Sequence, residues 1–93
     1  MHGICEARGE IDFLAAPAFA TTMRSAIDQA EDRDVFIDCR AVTFMDSSGF
    51  HALADANGYA NEHGHRLVIV NLHPNCARVV RLCDTAGDLT IAE

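Results

Sequence analysis

Two neighbouring runs decide how this chain reads: Val35-Phe36-Ile37-Asp38-Cys39 and, after a short connection, Phe44-Met45-Asp46-Ser47-Ser48-Gly49. The first is β-branched and apolar, which marks a strand. Its near-continuous apolar character predicts burial on both faces, as in a parallel sheet. Residues 40–44 read as the connection. The second run opens a helix over residues 47–63, in which Phe50, Leu53, Ala54, Asn57 and Ala60 line one side and Gly64 supplies the stop. An acid, two hydroxyls and a glycine therefore meet at a helix start. Such a place has free backbone N–H groups and the positive end of the helix dipole, and Asp46 and the two serines also read as caps for those N–H groups.

The same pattern continues outward in both directions. Residues 2–9 form a weaker strand, closed by Glu10-Ile11-Asp12, with Asp12 placed for a turn or a helix cap. In residues 15–30 the spacing of Ala16, Phe19, Met23, Ile27 and Ala30 predicts one apolar helical stripe. Pro17 suits its first turn, and Glu31-Asp32-Arg33-Asp34 leads out of it. Downstream, residues 66–71 are the clearest strand, again read as buried on both faces. Residues 74–86 form a third helix with Cys76, Val79, Val80 and Cys83 inward, Arg78 and Arg81 outward, and Gly87 as its stop. Residues 89–92 are a short final strand. Gly58, inside the second helix, costs about 1 kcal/mol against Ala and is read as a mark of close packing. The order β-α-β-α-β-α-β predicts an α/β fold with a mainly parallel sheet, in one domain spanning residues 1–93.

Composition narrows the function classes. The net charge is −7, from 14 acidic residues against 7 basic ones, all of them Arg. That disfavours nucleic acid, whose phosphates need clustered cations, and favours a basic protein partner. No apolar run is long enough to span a membrane and no signal-peptide pattern opens the chain, so a cytoplasmic location is expected. Cys5, Cys39, Cys76 and Cys83 contain no C-x-x-C pair and read as reduced core residues. His63, His65 and His73 with Cys76 match no zinc spacing, and no glycine-rich phosphate loop is present, so no metal or cofactor is expected. His51 lies one helical turn from Ser47. Without a G-x-S-x-G elbow or an orienting acid, however, the pair is not read as a hydrolase.

Three motifs together resemble the STAS domain family, most closely the anti-sigma-factor antagonists of bacteria. They are Gly9-Glu10-Ile11-Asp12, Phe44-Met45-Asp46-Ser47-Ser48-Gly49, and Pro74 followed by Val79, Leu82 and Thr85-Ala86-Gly87. The resemblance implies that the protein is a binding switch rather than an enzyme. It would dock on an anti-sigma factor that is often a serine kinase, and so release a sigma factor for transcription. Phosphorylation of Ser47 would break that complex and a phosphatase would restore it. Asp12, Asp46, Ser48, Gly49 and His51 are then the expected partner-binding residues. The alternative is a STAS-type subunit of a larger transport or stress-signalling assembly, without phosphorylation. The family's usual extra N-terminal strand and C-terminal helix have no counterpart here. The resemblance thus implies a minimal version with an exposed sheet edge through which two copies pair. Phe50-His51 also departs from the family, which often has a small or aliphatic residue and then glycine.

Overall fold

The computed structural model describes residues 3–92; His2, expected in the first strand, lies outside them. Seven elements run in chain order: β1 (Gly3–Ile11), α1 (Ala16–Gln29), β2 (Asp34–Met45), α2 (Ser47–Glu62), β3 (Arg66–Val70), α3 (Pro74–Cys83) and β4 (Thr90–Ala92). The strands form one parallel sheet in the order β1-β2-β3-β4. The α/β architecture is the one expected.

Consecutive parallel strands joined by crossovers of one hand place every helix on the same side of the sheet. Accordingly α1 packs on α2 and α2 on α3. The row Cys5, Ile37, Ile69 and Ile91, aligned in register across the four strands, faces these helices. Its first three members are buried and Ile91 packs against the same core. Met23, Ile27, Leu53 and Val80 fill the core from the helices, each at most 1% exposed.

The opposite face corrects the expectation of two-sided burial. Its central row is Ile4, Phe36, Val68 and Thr90. Ile4 is 56% exposed, Phe36 and Thr90 are half-buried, and only Val68 is buried. The apolar content of residues 35–39 was a true strand signal. How many faces are covered depends on strand order, which a single strand does not carry.

β2 is also longer than its apolar run. Residues 40–44, read as a connection, continue the strand to Met45 and pair with the far half of β1 across two register shifts. The Asp38 carboxylate bridges the irregularity, accepting from the Arg40 N–H and the Asn71 Nδ2, each at 3.0 Å. These hydrogen bonds, Asn71 first, hold the Asp38 carboxyl below its ordinary range. Past this point Val42 and Met45 are buried while Thr43 and Phe44 are exposed. The period of two is lost, as a bulge requires.

Helix ends obey local chemistry. Gly64, at φ 81°, ends α2. The His65 N–H reaches Ala60 O at 2.8 Å and the Gly64 N–H reaches Asn61 O at 3.3 Å, a Schellman pattern. α3 stops at Cys83, three residues before the expected end. Asp84 turns the chain: its carboxylate accepts from the Asp88 and Leu89 N–H groups, both at 3.1 Å. Gly87, at φ 69°, belongs to that turn rather than to a helix end.

Gly58 does not mark close packing. It is exposed, and a Cβ added there meets no atom within 4 Å. With open space and a helical backbone, Gly58→Ala restores helix propensity at no steric cost. It is expected to stabilise the fold by about 0.5–1 kcal/mol, raising the thermal midpoint by roughly 2–8 °C for a domain of this size. Circular-dichroism melting checks this, and a lowered midpoint contradicts it.

Candidate functional site

The candidate site lies where β1 and β2 end side by side. Ile11 and Met45 pair in register, and the Asp46 N–H donates to Ile11 O at 3.4 Å. Each strand then leaves through an aspartate that caps the next segment of chain. Asp12 Oδ1 accepts from the Leu14 N–H at 3.1 Å and the Ala15 N–H at 3.0 Å. Asp12 O takes the Ala16 N–H at 2.9 Å. The turn before α1 is thereby closed by one residue, as the sequence indicated.

Asp46 is the N-cap of α2. Its Oδ1 accepts from the Ser48 N–H at 2.9 Å and the Gly49 N–H at 3.4 Å, and Asp46 O takes the Phe50 N–H at 3.2 Å. The N–H groups of Ser48 and Gly49 are not free for a ligand, because the neighbouring carboxylate already holds them.

Ser47 is the first helical residue and is exposed. Among the described residues no hydrogen bond holds its hydroxyl, so the oxygen is open to another protein. Ser48 and Asp46 are half-buried beside it. His51 is exposed one turn further on, its ring edge-on to Phe50 with centroids 5.5 Å apart; no hydrogen bond joins it to Ser47.

Gly49 stands differently from its expected place among partner-facing residues. It is buried. A Cβ there would lie 2.5 Å from Met45 Cγ and 3.1 Å from both Ile11 Cγ2 and Ile11 O. Its missing side chain lets the start of α2 sit against the ends of β1 and β2. Gly49 thus positions Ser47 rather than offering a contact of its own.

Cys5, Cys39 and Cys76 are buried free thiols. Burial pushes all three thiols up, Cys39 to about 12, so they stay protonated and unreactive near neutral pH. Among the described residues no cluster of His, Cys, Asp or Glu fits a metal ion. His63 and His65 instead hydrogen-bond Tyr59 O and Asp32 O, at 2.8 and 2.9 Å. No helix of the described residues is long and apolar enough to cross a membrane.

Sequence reasoning passed over one feature of this end of the molecule. Phe13 and Leu14, directly after Asp12, are 77% and 84% exposed. The available signal was their position: two large apolar residues ahead of the first helical stripe, which begins at Ala16.

Comparison with known proteins places this geometry. The model of the STAS domain family matches residues 2–93. The chain belongs to the STAS domain family. Among solved structures, this STAS domain is similar to the anti-sigma factor antagonist SpoIIAA in its unphosphorylated form, at 20% identity and TM-score 0.73, over 97% of this chain and 78% of that one. The phosphorylated form of the Bacillus protein matches at TM-score 0.66 and 20% identity, over 97% and 81%. A crystal structure described as a putative anti-sigma factor antagonist from Thermotoga maritima matches at 14% identity and TM-score 0.80, over 100% and 81%. The murine anion transporter Slc26a9 also contains the fold: TM-score 0.71, 16% identity, 98% of this chain and 16% of the transporter. No curated protein sequence matches the STAS domain described here. At these identities the structural likeness establishes the fold, and function has to come from the site.

Proposed function

We propose that this STAS domain is an anti-sigma-factor antagonist of the partner-switching type. It acts in the bacterial cytoplasm, binding an anti-sigma factor that is a serine kinase and so freeing a sigma factor. The kinase switches the complex off by phosphorylating Ser47, and a phosphatase resets it. The observation that carries this reading is the exposed, unbonded hydroxyl of Ser47 on the first turn of a firmly capped α2.

Physical chemistry supports a switch at that position. Phosphate adds about −1.5 to −2 charges near pH 7. A helix N-terminus favours an anion, so the domain keeps its fold. The Asp46 carboxylate occupies the nearest N–H donors, which leaves the new charge to face outward. A partner seated on Ser47 then meets a dianion beside an existing carboxylate. Asp12, Asp46, Ser48 and His51 surround the docking point, and Gly49 sets its height.

Incubation with candidate serine kinases and ATP, followed by mass analysis, tests the reading. One phosphate on Ser47, absent from Ser47→Ala, is the expected result. If no cognate kinase labels Ser47, a second reading takes precedence: a docking subunit of a larger assembly, for which the likeness to a domain of an anion transporter is the supporting observation. Self-association is a further part of the proposal. Among the described residues β1 pairs only with β2, leaving a nine-residue edge on which a second copy can add. Sedimentation analysis of the purified chain reads this directly.

A further inference from the structure

We propose that Phe13 and Leu14 are the apolar anchor by which this chain grips its protein partner, and that the partner presents an apolar cleft bordered by Lys or Arg side chains. The inference rests on the reading that the partner docks around Ser47 and extends that surface to a second element.

Leu14 and Phe13 are the most exposed large hydrophobic residues described, at 84% and 77%. Single exposed apolar residues are ordinary on a protein surface. Two adjacent ones at the tip of a turn give nothing to the fold and a compact contact to a partner. Their turn is held in advance, because Asp12 takes the N–H groups of Leu14, Ala15 and Ala16 through its carboxylate and its carbonyl. An anchor ordered beforehand loses little further freedom on binding.

Position ties the tip to the candidate switch. Phe13 lies two residues beyond Ile11 and Ser47 two residues beyond Met45, and Ile11 and Met45 are register partners. The two features therefore project from the same end of the sheet. Phe44, 47% exposed, lies on the adjoining strand end opposite Glu10.

Charge selects the occupant. Residues 9–15 and 42–51 contain Glu10, Asp12 and Asp46 and none of the seven arginines, in a chain of net charge −7. An apolar knob in an acidic setting complements a cleft with a cationic rim and disfavours an anionic membrane surface.

The test uses each purified serine-kinase anti-sigma factor encoded in the genome that carries this chain. Titration calorimetry compares the wild type with Phe13→Ser/Leu14→Ser and with Ser47→Glu. The double variant is expected to melt within about two degrees of the wild type, since both side chains are exposed. It is expected to bind about a hundredfold more weakly, the loss typical of a two-residue anchor. Raising NaCl from about 0.1 to 0.5 M is expected to weaken the wild-type complex severalfold, because added salt screens the rim. Full binding by the double variant, alongside loss in Ser47→Glu, overturns this inference and leaves the proposed function standing. If no kinase binds the wild type, both are overturned. If the double variant loses self-association but keeps kinase binding, the tip belongs to a second copy and the inference is overturned.

Discussion

Under the proposed function, Ser47→Glu is expected to bind the partner kinase about a thousandfold more weakly than the wild type while unfolding at nearly the same temperature. Folding and docking respond separately to this change. In the isolated domain Ser47 is exposed and none of the described residues hydrogen-bonds its hydroxyl, so its removal breaks nothing among them. A carboxylate in the first turn of a helix is mildly favourable toward the dipole. In the complex the balance reverses. A neutral hydroxyl offers an interface hydrogen bond worth about 1 kcal/mol net, whereas an unpaired buried charge costs several kcal/mol. A difference of about 4 kcal/mol corresponds to roughly a thousandfold in affinity. Asp46 sharpens the effect, since its carboxylate already holds the Ser48 and Gly49 N–H groups that would otherwise partner the new charge. Ser47→Ala loses only the hydroxyl and is expected to weaken binding by about tenfold or less. Calorimetric titration of the three proteins measures this. Indistinguishable affinities for wild type and Ser47→Glu would remove the switch from Ser47.

Gly49→Ala is expected to destabilise the domain by about 1–3 kcal/mol, lowering the thermal midpoint by roughly 5–20 °C. Two effects oppose each other at this position. Alanine is the better helix former by about 1 kcal/mol, which alone would stabilise. Its Cβ, however, would fall 2.5 Å from Met45 Cγ and 3.1 Å from the Ile11 carbonyl oxygen. Met45 is only 2% exposed, so its side chain has little room to retreat. The Ile11 carbonyl also receives the Asp46 N–H, so moving that strand end disturbs the cap of α2. Gly58→Ala, in the same helix, is the internal control with the opposite sign, because the space around Gly58 is open. A Gly49→Ala domain as stable as wild type would mean that α2 can slide outward freely, and the rigid placement of Ser47 would go with it.

Much of this molecule is legible residue by residue. The stripe of Phe19, Met23 and Ile27 is buried as its spacing requires, and Gly64 takes the positive φ that its place after α2 suggested. Asp12 and Asp46 cap the turns they precede. These signals are local: a cap, a stripe or a left-handed glycine is set within a few residues. The strand end at 40–45 escaped because a bulge breaks alternation, so Val42 points inward out of phase with Val35, Ile37 and Cys39, and Met45 out of phase with Val42. The end of α3 escaped because Asp84 folds the chain into a turn, its carboxylate taking the N–H groups of Asp88 and Leu89 further along.

From its sequence alone the chain determines the seven elements, their order, and a serine at the first turn of a capped helix. Folding in three dimensions decides which side of the sheet is covered, that Gly49 is buried while Gly58 is open, and that the Phe13–Leu14 tip shares an end with Ser47. The division has one physical cause. Periodicity and capping act between residues a few positions apart, whereas face coverage and close approach depend on strands and helices that are distant in the chain and adjacent only in the sheet.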